Sequence, residues 1–594
     1  MTTLLQRQFL CSATLLVLCG DASIAPASAQ GPASIRAQPR APEPDDPLFR
    51  YQWHLLNNGQ DVIADSRPVA GVDLNIEPVH ALGIRGQGVI VGVLDDGLDI
   101  RHPDLAANVV PGGSKNFADG SNDPTPRNPG EAHGTAVGGI MAEAGWNGIG
   151  GRGVAPNARL KGFKLFAAEG IPTDFDSNLR ASWGAGAESG DVAVFNNSFG
   201  SDLTFYPAFS PAAQRSLERL MRGTRDGKGG VYVQSAGNTF NSFFGTNAAG
   251  NWVELCPALA RTLGMTCSTP ATDPTSNLPQ IIMAGAVNAR GVRSSYSSAG
   301  AALWVSGFGG EYGLQRRYFG DRPISAYYDP GIVTTDLAGC AAGWSADNAD
   351  AAPENALDGS SSPIDPSCNY LATMNGTSAS APVVSGVAAL ILQANPALSA
   401  RDVKYILATS ARQIDREQPV IRYRGSVIEP GWITNAAGRS FSNWYGFGLV
   451  DAAEAVYRAY RFTPLPPQRD LGWKAALPAS SAIGGPNAPA TLQLRLGDAL
   501  TIDTVQWSMQ TTHTTPSNLQ VVLISPSGTR SHVLTPFQTL SPITEGTGFD
   551  IPLSTSNAFL DERVTGIWTL EVSDMSDSTT PAQLTGFKLR VLGH

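Results

Sequence analysis

Apolar and polar positions follow two regimes along this chain. From Asp45 to about residue 461, short β-rich apolar runs alternate with longer segments of helical character. The runs are Val89–Leu94, Val192–Phe195, Gly230–Gln234 and Ile281–Val287; the helical segments include Ala136–Ala144, Ser210–Arg222, Ser380–Ala394 and Ala400–Ala411. Nearly continuous apolar strands alternating with helices predict an α/β fold, a parallel sheet flanked by helices on both faces. In such sheets, sites form at the carboxyl ends of strands. Phe462–Leu477 carries Pro464, Pro466 and Pro467, loses the alternation, and reads as a linker. Beyond it, Ala490–Leu496, Thr501–Trp507, Leu519–Ile524, Ile567–Val572 and Leu584–Leu592 are short alternating runs separated by turn residues. They predict an all-β sandwich or jelly roll.

Three short segments carry the chemistry: Val93-Leu94-Asp95-Asp96-Gly97, His133-Gly134-Thr135, and Gly376-Thr377-Ser378-Ala379-Ser380-Ala381-Pro382. A serine hydroxyl is a weak nucleophile at neutral pH. It needs an imidazole to take its proton and a carboxylate to fix that imidazole's tautomer. Asp95 ends a predicted buried strand, His133 opens a helix of small residues, and Ser378 opens a helix with Pro382 in its first turn. The helix start turns orphan amides and a positive dipole end toward an oxyanion beside Ser378. Alternation alone does not decide which of Asp95 and Asp96 faces the histidine.

The order Asp, His, Ser with these motifs resembles the subtilases, and the doubled aspartate resembles their kexin and furin-like branch. Ser525-Pro526-Ser527-Gly528-Thr529 and Gly566-Ile567-Trp568-Thr569-Leu570 resemble the P domain that follows the catalytic domain in that branch. The resemblance implies an endopeptidase acting through an acyl-enzyme, with Asp95 orienting His133 and Asp96 flanking the substrate groove. It implies that Asn238, in Ser235-Ala236-Gly237-Asn238, donates to the oxyanion alongside the Ser378 amide. Asn375 reads as loop architecture. The resemblance also implies a Ca²⁺ site from the side chains of Asp46, Asp104 and Asn147 with the carbonyls of Ala144, Ile149 and Gly151. For the substrate pocket it implies Asp96 and Asp273. Asp202 sits one place early relative to the family pattern, and Ser298 stands where the family has a glutamate. Arginine or lysine at the cleaved position is the expectation. The rival is a broad subtilisin with apolar preference, and a rival of another class is a non-catalytic adhesion or binding protein.

A formal charge of -10 disfavours nucleic acid or an anionic membrane as the main partner. Arg7, the apolar run Phe9–Cys19 and Ala27-Ser28-Ala29 read as a secretory signal, so export to a periplasm or outside the cell is expected. No other stretch approaches a membrane span. The chain then divides into a signal (1–29), a mobile arm (30–45), a catalytic domain (46–461), a linker (462–477) and a P domain (478–594). Signal removal takes away Cys11 and Cys19 and leaves Cys256, Cys267, Cys340 and Cys368. Two disulfides are expected in an exported chain, with three connectivities open. Cys256–Cys267 and Cys340–Cys368 are favoured because each closes a loop that looks inserted. Related proteases carry a folding prodomain, whereas Gln30–Asp45 is too short to build a core. A separate chaperone and inhibitor chain is therefore expected, with protein or peptide substrates as the other partners.

Overall fold

The computed structural model describes residues 45–166, 174–246, 250–347, 353–544, 548–576 and 581–594. The predicted signal and nearly all of the arm lie outside the described residues. A seven-stranded sheet forms from β1 (Ile90–Asp95), β2 (Lys115–Asn116), β3 (Arg159–Lys164), β4 (Val194–Asn197), β5 (Val231–Ser235), β6 (Ile281–Val287) and β7 (Val305–Phe308). Its order is β2-β3-β1-β4-β5-β6-β7, and every pairing is parallel. Both faces are covered, which is why the strands read as unbroken apolar runs. Val91 and Val93 of β1 and Val231 and Val233 of β5 enter one core, while Leu94 and Tyr232 point into another.

Helix α1 (His133–Ala142) and helix α2 (Thr377–Ala394) pack against each other and against the sheet. Along α2, Thr377 and every residue from Ala379 to Leu392 are buried. A helix apolar on all sides belongs in a core, so this one, although long and apolar enough to span a bilayer, is interior. Pro382 lies in the second turn of α2 rather than the first. Its missing N–H would have bonded the Ser378 carbonyl one turn back.

A strand pair, β8 (Ile332–Thr335) and β9 (Tyr370–Met374), runs antiparallel, and the loop that joins the two strands holds Cys340 and Cys368. Both favoured disulfides are formed, Cys256 with Cys267 and Cys340 with Cys368, at Cα separations of 5.3 and 5.0 Å.

The C-terminal region is built from β10 (Arg469–Ala475), β11 (Ser481–Ala482), β12 (Ala490–Leu496), β13 (Ile502–Thr511), β14 (Leu519–Ile524), β15 (Arg530–Leu534), β16 (Asp550–Ser556), β17 (Gly566–Asp574) and β18 (Gln583–Gly593). One antiparallel sheet runs β10-β18-β13-β16, with β11 also on β18; the other runs β12-β17-β14-β15. Strand β10 corrects the predicted linker, which shrinks to residues 462–468. Its side chains are mostly exposed and its register shifts between Asp470 and Trp473, so this edge strand has no apolar alternation to read.

The sandwich docks on the catalytic region through buried polar groups. The Asn557 amide donates to the carbonyls of Ala302 and Leu303 at 2.9 and 3.1 Å. In the opposite direction, Asn435 donates to the carbonyls of Ala558 and Leu560 at 2.9 and 2.8 Å.

Candidate active site

Asp95 sits at the carboxyl end of β1 and is buried, and its Oδ1 faces Nδ1 of His133 at 2.8 Å. The same oxygen accepts the Asp96 amide at 2.8 Å, which locks the carboxylate's orientation. His133 is the first residue of α1. Gly134 follows because a Cβ there would lie 2.0 Å from the Gly97 carbonyl oxygen. Burial alone would lower the imidazole pKa; the Asp95 charge, its hydrogen bond and the more distant Asp96 charge outweigh burial and raise it.

Asp96 takes a place that the sequence reading did not assign. Its carboxylate accepts the amides of His133 at 3.1 Å and Gly134 at 2.7 Å, anchoring the positive end of α1. Burial and the Asp95 charge push its pKa up to about 7.

Ser378 is the second residue of α2, and its hydroxyl donates to the Ser198 carbonyl at 3.1 Å. Ser198 returns a bond from its own hydroxyl to the Ser378 carbonyl at 2.8 Å. That carbonyl is the one Pro382 leaves without a helical donor. Ser198 was not singled out from sequence, although its place just past the end of β4 is the signal that could have found it.

The side-chain oxygen of Asn238 accepts the Thr377 amide at 2.8 Å and the Thr377 hydroxyl at 3.0 Å. With Oδ1 committed, Nδ2 is the group left to serve a ligand. Asn375 donates to the Thr373 carbonyl at 3.0 Å, consistent with loop architecture.

His133, Asn238 and Ser378 line one side of an open cavity of about 1500 Å³. Trp344 lines it too, its ring 6.2 Å from that of His133. A second cavity of about 210 Å³ adjoins Asn238 and Ser378 and is lined by Asp202, Gln234 and Asp273. Asp273 is buried at its wall: Oδ2 accepts the Ser201 amide at 2.8 Å, and Oδ1 accepts the Thr275 amide at 2.8 Å. Asp202 accepts from the Thr239 hydroxyl at 3.1 Å, and Thr239 also reaches Ser298.

Away from the cleft, Asp46, Asp104 and Asn147 come together. Oδ1 of Asp46 accepts the Asn147 amide at 2.9 Å, and Asn147 donates its side chain to Asp104 at 2.5 Å. Ala144 donates its amide to the Asp104 carbonyl at 2.9 Å, and Ile149 and Gly151 complete the loop. Gly150, at φ +50°, passes so close that a Cβ would lie 2.0 Å from Asp104 Oδ2. Two members of this cluster escaped sequence reasoning. Glu143 is buried beside Asp104, and burial, followed by the Asp104 charge, pushes its pKa well up. Arg152 contacts Asp46 at 2.5 Å and lies over the rings of Phe49 and Trp146.

Residues 86–448 match the model of the subtilase family, and residues 502–591 match the proprotein convertase P-domain. The extracellular serine protease of Aeromonas sobria is 38% identical, with 92% of this chain and 91% of that protein aligned. Rat furin is 27% identical, over 93% of this chain and 58% of furin. The Aeromonas sobria protease solved in complex with a chaperone superimposes with a TM-score of 0.83 at 36% identity, covering 93% of this chain and 96% of that one. The chain belongs to the subtilase family of serine proteases and carries a proprotein-convertase P domain behind its catalytic domain.

Proposed function

We propose that this protease is a secreted, calcium-stabilised endopeptidase that cuts after basic residues. The observation that carries the reading is the small cavity with Asp202 and Asp273 on its wall, open to Asn238 and Ser378. A pocket with two carboxylates next to the nucleophile favours a guanidinium or ammonium over an apolar side chain. In the proposed reaction the Ser378 hydroxyl adds to the scissile carbonyl while His133 takes its proton. Asp95 holds the imidazole by Nδ1 and stabilises its cationic form. The oxyanion is received by the Ser378 amide and Asn238 Nδ2. His133 then protonates the leaving amine and activates the water that opens the acyl-enzyme. An intact Asp95, His133 and Ser378 set disfavours the adhesion-protein reading.

The acidic cluster fits Ca²⁺ by its chemistry. Asp46 and Asp104 would supply carboxylate oxygens with the carbonyls of Ala144, Ile149 and Gly151. Asn147, whose Oδ1 accepts the Ile149 amide at 3.1 Å while Nδ2 faces Asp104, would turn its amide over to add its own oxygen; a hard divalent ion takes such ligands. Burial and, to a smaller extent, the Asp46 charge raise the Asp104 pKa to about 6, and a bound cation would favour the charged carboxylate. The ion would brace the loop 144–151, which follows α1.

Export is supported by the Aeromonas sobria relative, an extracellular serine protease. The solved complex of that protease with a chaperone supports a separate folding partner here. Co-expression tests it: abundant active enzyme from residues 30–594 alone would rule out the requirement.

Profiling a peptide library with wild type and Asp273→Asn tests the specificity. Arginine or lysine is expected at the cleaved position, with the preference eroded in the variant more than hydrolysis of neutral substrates. A profile dominated by Leu, Phe or Tyr would establish broad apolar specificity instead.

A further inference from the structure

The wall of the acidic cavity is held from outside the catalytic domain. Asp273 belongs to a short loop, residues 270–277, with the cavity on one side and the P domain on the other. Asn277 clamps this loop. It is fully buried, and its side-chain amide donates to the carbonyls of Ala271 at 2.8 Å and Asp273 at 3.2 Å. The Asn277 carbonyl in turn accepts two donors from the sandwich, Gln506 of β13 at 2.6 Å and Thr555 of β16 at 3.2 Å.

The orientation of Gln506 is fixed from behind. Arg590 of β18 donates to Gln506 Oε1 at 2.9 Å. A guanidinium only donates, so that atom must be the oxygen, and Nε2 is left for Asn277. Arg590 is itself immobilised by a two-pronged pair with Glu218 at 2.7 and 2.8 Å and by Asp470 at 2.6 Å. Paired forks of this kind fix geometry as well as charge. Ala271, Ala301 and Ala302 also join the apolar core of the sandwich.

We propose that Gln506 is a positioning residue for substrate selection: by holding Asn277 it sets the backbone at Asp273, so the choice of a basic side chain depends on the P domain. The proposal rests on the reading of Asp273 as the acceptor of that side chain.

Two peptides identical except for arginine or norleucine at the cleaved position test it in the full-length protein. Gln506→Met keeps the volume and removes the donor. A displacement of an ångström or less at a binding group costs on the order of tenfold to a hundredfold. Gln506→Met is therefore expected to lower kcat/KM for the arginine peptide about tenfold, mainly through KM, with the norleucine peptide within about twofold of wild type. In an Asp273→Asn background the same change is expected to add no further loss of selectivity. Gln506→Glu covers the case in which the methionine variant fails to fold. It still accepts from Arg590 but does not donate to Asn277 as a carboxylate, so selectivity is expected to fall with the domain contact intact. Equal losses on both peptides, unchanged selectivity, or a loss that multiplies with that of Asp273→Asn would overturn the relay while leaving the pocket reading standing. An Asp273→Asn enzyme that keeps full arginine preference would instead remove the pocket reading and the proposal with it.

Discussion

Ser198 and Ser378 hold each other by two hydrogen bonds running in opposite directions, hydroxyl to carbonyl at 3.1 Å and at 2.8 Å. The second stands where Pro382 has removed the helical one. Ser198→Ala leaves the Ser378 carbonyl without that donor, and a lost hydrogen bond of this kind costs about 1 kcal/mol. Urea unfolding is expected to show a lower midpoint at unchanged slope. An unchanged midpoint would mean that the bond contributes nothing to holding the start of α2.

Ser378→Ala tests the nucleophile. The substitution removes one oxygen from a half-buried residue, so the melting temperature is expected to stay close to wild type. Labelling by a serine-directed fluorophosphonate is expected to vanish. Persisting label on the variant would place the nucleophile elsewhere.

The His133–Asp95 pair sets a pH dependence. The imidazole is raised to about 9 despite burial, chiefly by the facing carboxylate. Its side chain is 27% exposed, so water screens part of that effect. A general base must be neutral, so activity rises as pH passes upward through this pKa. The acid limb of kcat/KM is expected above the ordinary value of about 6.5. Stability runs the other way: a pKa raised in the folded state stabilises fully below the unfolded value and is lost as pH climbs through the folded one. Asp95→Asn is expected to lower turnover by about 10⁴ and move the limb downward. A wild-type limb at or below about 6.5 would contradict the pairing.

Asn238→Leu removes the side-chain donor at similar volume. A turnover loss of about 10² or more, with KM little changed, is expected because the contact strengthens in the transition state. The variant also loses the acceptor for Thr377, so its melting temperature must be read alongside; equal turnover in both proteins would assign the oxyanion donor to another group.

Calcium binding to a site absent from the unfolded chain stabilises by mass action. Chelation is expected to lower the melting temperature of wild type, and Asp104→Ala to remove most of that response. Indifference of wild type to chelator would dismiss the site.

Sequence disclosed the strands whose two faces are both covered, because continuous apolar runs survive there. It hid β3, which reads Arg-Leu-Lys-Gly-Phe-Lys. Two lysines would be improbable inside a sheet except that Lys161 meets Asp191 at 2.6 Å and Lys164 meets Glu131 at 2.6 Å. Edge strand β10 was hidden for the opposite reason, having little to bury. Within the site, residues in contiguous motifs could be named in advance. Glu143 and Gln506 could not, since their meaning comes from Asp104 and Asn277, partners distant in the chain.

Asn557 and Asn435, which cross between the sandwich and the catalytic region in opposite directions, limit how this protease can be taken apart. A cut within residues 462–468 would strand the carbonyls of Ala302 and Leu303 on one fragment and those of Ala558 and Leu560 on the other. Water would satisfy those carbonyls, but each fragment would also lay bare apolar side chains that the other now covers, Ala271, Ala301 and Ala302 on one and Ala558 and Leu560 on the other, a poor start for independent life in solution. The transplantable cassette therefore begins before β1 and runs to β18, and a P domain borrowed from a relative must bring its own matching amides.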